Sequence, residues 1–362
     1  MAHYRKQMIT IFLTNSCNLN CVYCYIDGSK TEEKRVIDVN FALKGIRDYF
    51  DQTGNYAVRF FSDGEPTLAF EQMKLIKKHL LELENKLNMK VKYEIQTNGV
   101  FSEEIAEWIS QNIDVVYISI DGTPQINDQL RRSMSETTVS DIVERNIRII
   151  AANSSVQLGV RSTICSLNVD KQIDIIKYFK HLGVNIIFAD QIFSKVGGGT
   201  SYLGINYIDF IDKFVEAKKY ASSIGVFYST MYESNFDENT IYGCRSCLPT
   251  PHLTVDGYVS CCDMCVSGDS PMQELIYGIY DSEAGEIIYD EKSIKRIQLR
   301  NKFEIPSCKY CEVRDHCGGA CLGEALNETG QFFGTKDESC NAIKYLWKKL
   351  GEKESYLPYL HP

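Results

Sequence analysis

Residues 8–24 read MITIFLTNSCNLNCVYC, an apolar run of strand type that passes directly into three cysteines. The run 8–13 is rich in residues that favour extended backbone and stops at Thr14-Asn15-Ser16. Cys17, Cys21 and Cys24 therefore occupy a loop at the C-terminal end of a first strand. Further strand-type runs at 57–61, 92–96, 115–120, 157–163 and 185–189 alternate with helical periodicity at 40–49, 70–87, 103–110, 139–151 and 171–181, and a sixth helix is expected over 208–222. Such alternation builds βαβ units and a parallel sheet buried on both faces. Six units are too few for the usual eight-stranded closed barrel and fit an α/β fold of the partial (β/α)6 TIM-like type. In that fold the chemistry belongs to the loops after the C-terminal strand ends, where the three cysteines fall.

The 362 residues are 44% hydrophobic, enough for a large α/β domain and a smaller second one. The barrel is expected over 1–225, a polar linker over 226–243, and a cysteine-rich domain ending in a helix over 244–362. Gly197-Gly198-Gly199 reads as a flexible turn after the sixth strand. No apolar run reaches the length of a membrane span, and the opening residues lack the apolar stretch and cleavage site of a secretory signal. A cytoplasmic protein with no membrane partner is expected. The net charge of −9 argues against a nucleic-acid partner, which requires a basic face. The fourteen cysteines are clustered: three within 17–24, Cys165 alone, and ten from Cys244 to Cys340. In a reducing compartment, thiols gathered this way read as metal ligands rather than disulfides.

Three thiolates on one short loop can bind three irons of a 4Fe–4S cubane and leave the fourth iron open. Zinc is the alternative; it requires a fourth ligand, and no Cys or His nearby in sequence supplies one. Cys17-x3-Cys21-x2-Cys24, with Tyr23 before the last cysteine, resembles the CxxxCxYC signature of the radical S-adenosylmethionine (SAM) enzymes. The resemblance implies that the open iron chelates the amino and carboxylate groups of SAM. An electron from the cluster then releases methionine and a 5′-deoxyadenosyl radical.

Other segments extend the resemblance. Ser62-Asp63-Gly64-Glu65-Pro66, after the second strand, is similar to the family's GGEP segment, with Asp63 where glycine is usual. It implies that Gly64 and Glu65 hold the SAM amino group, and glycine permits the close backbone approach a ligand needs. Gln96-Thr97-Asn98-Gly99 and Ser119-Ile120-Asp121-Gly122 end the third and fourth strands and are also ordinary turn chemistry. In the family a serine at the position of Ser119 contacts SAM. Asn127-Asp128-Gln129-Leu130-Arg131 resembles its HDxxR segment, with Asn127 in place of histidine. Arg131 is then expected to pair with the SAM carboxylate, with Arg132 as its rival, and Tyr23 to offer backbone contact near the adenine.

Cys308-x2-Cys311-x5-Cys317-x3-Cys321, then Cys340, with Cys247-x9-Gly257-x4-Cys262 upstream, closely resembles the SPASM pattern of peptide-modifying radical SAM enzymes. That extension carries two auxiliary 4Fe–4S clusters. The resemblance places Cys308, Cys311, Cys317 and Cys340 on the distal cluster and Cys247, Cys262 and Cys321 on the proximal one, with Cys244 as the fourth proximal ligand. Full ligation favours electron transfer over substrate binding by iron. Cys261 or Cys265 in place of Cys244, an open proximal iron, and two zinc knuckles are the alternatives. Cys165 reads as a buried small hydrophobe, and His316 as a neighbour that the cysteines do not need. Asp263 follows Cys262, where anaerobic sulfatase-maturating enzymes have a proposed base. The resemblance gives it either that role or a structural, redox-tuning hydrogen bond.

The function expected is maturation of a ribosomally made peptide: hydrogen abstraction from one residue, then a thioether or carbon–carbon crosslink or an oxidised side chain. Three 4Fe–4S clusters and SAM would be the cofactors, with a flavodoxin or ferredoxin as reductant. Only 16 residues precede Cys17, so leader recognition is expected to need a separate protein or another surface. The alternative is sulfatase maturation, in which Cys or Ser becomes formylglycine; against it, 185–190 reads NIIFAD and lacks the Gln-Phe-Ile-Pro-type segment of those enzymes. A non-catalytic iron–sulfur electron carrier is the reading from another class.

Overall fold

The computed structural model describes residues 7–26, 33–134, 138–197 and 203–351. The opening residues 1–6 and Gly198 and Gly199 of the expected turn lie outside them. From the N-terminus run β1 (Ile9–Phe12), α1 (Val39–Thr53), β2 (Ala57–Phe61), α2 (Phe70–Leu87), β3 (Lys92–Thr97), α3 (Glu103–Asn112), β4 (Val115–Ser119), α4 (Pro124–Leu130), α5 (Val139–Ala151), β5 (Gln157–Ile164), α6 (Gln172–His181), β6 (Ile186–Gln191), α7 (Tyr207–Ser223) and β7 (Phe227–Ser229). The local chemistry explains the boundaries. Asp38 caps α1 by accepting from the Asn40 and Phe41 amides, and Gly54 ends it in the left-handed region. In α5, Val139, Val143, Ile147 and Ile150 recur at helical spacing and are all buried against the sheet.

Strands β1 to β7 lie side by side and parallel. The barrel does not close. The free edge of β1 takes a short eighth strand, β8 (His252–Leu253), also parallel, followed by antiparallel β9 (Tyr258–Ser260), β10 (Ile276–Asp281) and β11 (Glu286–Tyr289). One eleven-stranded sheet thus joins the barrel to the cysteine-rich region. Two expectations are corrected here. A seventh parallel strand, β7, lies in the stretch 226–243 read as a linker, and the second domain's first strands extend the sheet of the first.

The remaining helices are α8 (Glu291–Leu299), α9 (Arg314–Cys317), α10 (Leu322–Thr329) and α11 (Asp337–Leu350). Helix α11 returns to the barrel and packs on α7, where Tyr345 and Lys349 both reach Asp212 at 3.0 and 2.7 Å. Arg300 is fully buried and donates to the carbonyls of Phe332, Gly319 and Gly334, so two loops are tied to one guanidinium. Among the described residues no helix is long and apolar enough to cross a membrane.

The outer face of the sheet packs on the helices as one continuous core. Inside the barrel Val115, Tyr117 and Phe188 form a separate apolar plug with Ile186 and Phe227. Side chains alternate along each strand, so the plug continues into inward-facing Arg59, Glu94, Arg161 and Asp190.

Candidate active site and thiol clusters

The cysteine loop leaves β1 and is held from three sides. The Asn20 and Val22 amides donate to the Arg132 and Leu130 carbonyls at the end of α4, at 2.8 and 2.9 Å. Asn98, after β3, reaches across with its amide nitrogen to Asn18 at 2.7 Å and to the Cys17 sulfur at 3.9 Å. From the β2 side, the Glu65 amide donates to the Ser16 carbonyl at 2.7 Å. Gly64 is necessary for that approach, because a Cβ there would stand 1.9 Å from the Ser16 oxygen.

Glu65 itself is buried and saturated. Its carboxylate accepts from the Thr67 amide and hydroxyl, the Thr97 hydroxyl and the Asn98 amide. It fastens the end of β2 to the end of β3, directly behind the cysteines. Asp63 is different: burial pushes its carboxyl up to about 7, and its Oδ1 is buried without a hydrogen-bond partner.

Arg131 points inward and Arg132 is exposed, which separates the two rivals. The Arg131 guanidinium grips Asp121 with two hydrogen bonds, at 2.9 and 3.2 Å. Asp121 has no side-chain exposure and also accepts from the Tyr23 hydroxyl and the Thr163 amide. Asn127, where histidine is usual in the resembled segment, accepts from the Asp121 amide at 3.0 Å and donates to Ser140. Tyr23, Asp121 and Arg131 thus form one strut behind Cys21. Ser119 ends β4 with its side chain on the inward face, level with Arg161.

Two of the loop thiols are shifted by their surroundings. Burial pushes Cys17 up to about 11 and Cys21 up to about 12, and each is raised further by Cys24. Thiols in this state resist ionisation until a metal binds and stabilises their thiolates. All fourteen cysteines are free thiols.

The C-terminal cysteines gather in two places. Cys308, Cys311, Cys317 and Cys340 line one cavity. Four thiols facing one void match the donor set of a fully ligated cubane. Cys244 and Cys321 line a second cavity, which Cys317 also borders. Cys247 shares a hydrogen bond with Cys244, and Cys321 lies within electrostatic reach of Cys244 and Cys262. Tight backbone crossings produce this: a Cβ at Gly243 would meet the Ala320 carbonyl at 2.3 Å. Cys265 turns away and donates to the Met272 carbonyl at 3.4 Å, while Cys261 is buried within reach of Cys244 and Cys262. Cys165 is fully buried in the barrel core. His316 stacks on Trp347 at 4.6 Å and borders the second cavity. Among the described residues no three His, Cys, Asp or Glu side chains converge as on a single ion.

Asp263 projects from the Cys262 turn toward the barrel lumen. It accepts from Arg59 and from His252 Nε2 at 2.9 Å, with Arg245 3.7 Å away. Burial opposes its charge, but Arg59, His252 and Arg245 prevail and hold the carboxyl well below the usual carboxylate range.

A sequence profile of the radical SAM superfamily matches residues 11–192, half of the chain. The chain belongs to the radical SAM superfamily. It is similar to the cysteine-type anaerobic sulfatase-maturating enzyme of Clostridium novyi, 30% identical over 46% of each chain. It also resembles the radical SAM cyclopropyl synthase TigE of Paramaledivibacter caminithermalis, 23% identical over 96% of this chain and 74% of that one. In three dimensions it resembles anSMEcpe with bound AdoMet and Cp18Cys peptide, with a TM-score of 0.73 and 20% identity over 94% of this chain and 95% of that one. The chain spans less than half the length of the Clostridium novyi enzyme.

This radical SAM chain also holds site residues that motif reading passes over. Asp121 was read as turn chemistry, yet it anchors both Arg131 and Tyr23. Arg59, Glu94, Arg161, Arg245 and His252 lie in no motif. A charged residue at an inward position of a buried parallel strand, as in Ala57-Val58-Arg59-Phe60-Phe61, is the signal that marks the first three.

Proposed function

We propose that this radical SAM enzyme modifies a peptide, as a maturase of a ribosomally made precursor. Cys17, Cys21 and Cys24 would hold one 4Fe–4S cluster, with one iron left for SAM. Cys244, Cys247, Cys262 and Cys321 would hold a proximal auxiliary cluster, and Cys308, Cys311, Cys317 and Cys340 a distal one. When bound, these groups supply the electron that cleaves SAM, the radical that abstracts hydrogen from the substrate, and an acceptor for the second electron.

The protein's own residues orient and enclose. The Tyr23–Asp121–Arg131 strut fixes the Cys21 turn, while Glu65 and Gly64 set the loop's distance from β2. Ser119 lies on the lumen face above the apolar plug, where SAM would contact the barrel. Arg131 keeps its guanidinium on Asp121, so its role toward SAM is through the loop it positions. Asp263, ringed by two arginines and a histidine, is assigned the anchoring role rather than that of base.

One observation carries the reading. The turn Cys262-Asp263 links a group of thiols directly to the barrel lumen through Arg59 of β2, which supports the reading of an electron acceptor beside a radical site. The structural likeness to a peptide-bound relative supports a peptide as substrate, and a flavodoxin or ferredoxin fits as reductant. The test is anaerobic incubation of the reconstituted, reduced protein and SAM with short peptides encoded beside its gene. The expected result is a crosslinked or oxidised peptide by mass spectrometry. Formylglycine on a sulfatase peptide would instead support sulfatase maturation, the reading that the Clostridium novyi relative favours.

A further inference from the structure

The barrel lumen carries a ring of polar side chains that neither the cysteine loop nor the strut uses. Arg59 of β2, Glu94 of β3, Arg161 of β5 and Asp190 of β6 all face inward, and Arg245 enters from the cysteine-rich side. Arg59 is committed: Nε donates to the Thr10 hydroxyl at 3.1 Å and Nη2 to Asp263. Asp190 is committed as well, accepting from the Thr230 hydroxyl, the Met231 amide and Arg161.

Two members are not. Arg161 has five N–H donors and gives one hydrogen bond, to Asp190 at 3.1 Å, and its side chain keeps 34% exposure. Glu94 is 6% exposed, and its Oε2 is buried without a partner. Nδ1 of His252 faces the Thr250 carbonyl at 2.8 Å and Nε2 faces Asp263 at 2.9 Å, while burial and the neighbouring Arg245 and Arg59 hold the imidazole below its ordinary pKa. Arg59, Arg161 and Arg245 stand among Asp190, Asp263 and Glu94, and with Glu94 Oε2 unpartnered most of the Arg161 donors meet no carboxylate. A guanidinium in a low-dielectric lumen does not leave most of its donors unmet at little cost.

We propose that this ring binds a carboxylate of the substrate, with Arg161 as the residue that pairs with it. The inference rests on the peptide-modifying reading above and narrows it: the substrate carries an aspartate, a glutamate or a C-terminal carboxylate at or beside the modified residue. The open edge of the Arg161 guanidinium presents the fork that a carboxylate accepts with two hydrogen bonds. The apolar plug beneath, built on Val115, Tyr117 and Phe188, keeps the pair dry and limits how deep a side chain reaches.

The test uses the anaerobically reconstituted full chain with SAM and measures binding of small probes by ligand-observed NMR. N-acetyl-aspartyl amide and N-acetyl-glutamyl amide are compared with their asparaginyl and glutaminyl counterparts, and N-acetylglycine with its amide. At least one acid is expected to bind about tenfold more tightly than its amide, with the difference shrinking as salt rises. Whether a side-chain or a terminal acid shows it distinguishes the two sources. Arg161→Gln should abolish the preference, and Arg161→Lys should keep part of it, since lysine retains charge without the fork. Equal binding of every acid and amide to the unaltered protein would overturn the proposal, whatever the variants do. So would an acid preference that survives in Arg161→Gln, including the case where that variant loses only SAM affinity. Formation of 5′-deoxyadenosine without substrate, measured on the same samples, separates the two levels. Cleavage with no acid preference removes only this inference, whereas no cleavage removes the reading beneath it.

Discussion

A methyl group on Gly64 would lie 1.9 Å from the Ser16 carbonyl oxygen, one residue before Cys17. Gly64→Ala should therefore displace the cysteine loop and lose its cluster. Reconstituted protein is expected to hold about four fewer iron atoms, measured by iron and sulfide analysis, with the C-terminal clusters retained. Arg131 and Asp121 are a buried, bidentate pair, so removing one leaves the other charge unpaired. Arg131→Gln should cost about 3–5 kcal/mol, read from denaturant unfolding. Asp63 gives a pH test. Its folded value of about 7 lies above the ordinary 3.8, so the unfolded chain loses this proton first as pH rises. Its contribution to stability declines between about pH 4 and pH 7 and is a constant penalty above that. Asp63→Asn should remove this dependence and raise stability at pH 8 by about 1–3 kcal/mol, measured as the midpoint of anaerobic unfolding.

At the scale of elements, helix α11 is where packing and cluster assembly meet. It carries Cys340 and turns Trp347 onto Phe236, edge-on at 5.0 Å, and onto His316, stacked at 4.6 Å beside Cys317. Trp347→Ala should cost about 3 kcal/mol and withdraw Cys340 from its cavity, seen as a lower melting temperature with about four iron atoms lost. Elements of the barrel were legible because each has one dominant signal. Strand 57–61 and helices 70–87 and 139–151 lie where hydrophobic periodicity puts them. Strands β7, β8 and β9 were not legible, since two or three residues show no period and their pairing is decided by the sheet edge they meet. The site divides in the same way. Cysteine spacing is a local pattern and shows in the sequence. The partners of Asp121, Arg161 and Asp263 come from other elements and loops, and only folding brings them together.

At the scale of the molecule, one sheet runs from the barrel into the cysteine-rich region, so the three thiol groups share a rigid frame. Strand β8 pairs with β1, whose C-terminal loop bears Cys17, while the turn after β9 bears Cys262. Movement between the two regions would break that sheet. This continuity holds the Cys17 loop and the Cys262 turn at a fixed separation across the barrel lumen. The central claim is that the Cys17–Cys21–Cys24 loop supports reductive cleavage of SAM. The most direct measurement is 5′-deoxyadenosine formed from SAM by the reduced, fully reconstituted protein under anaerobic conditions. The account predicts its formation, and its loss when Cys17, Cys21 and Cys24 are replaced together by alanine while about eight iron atoms remain. A fully loaded, reduced sample that forms no 5′-deoxyadenosine would contradict it.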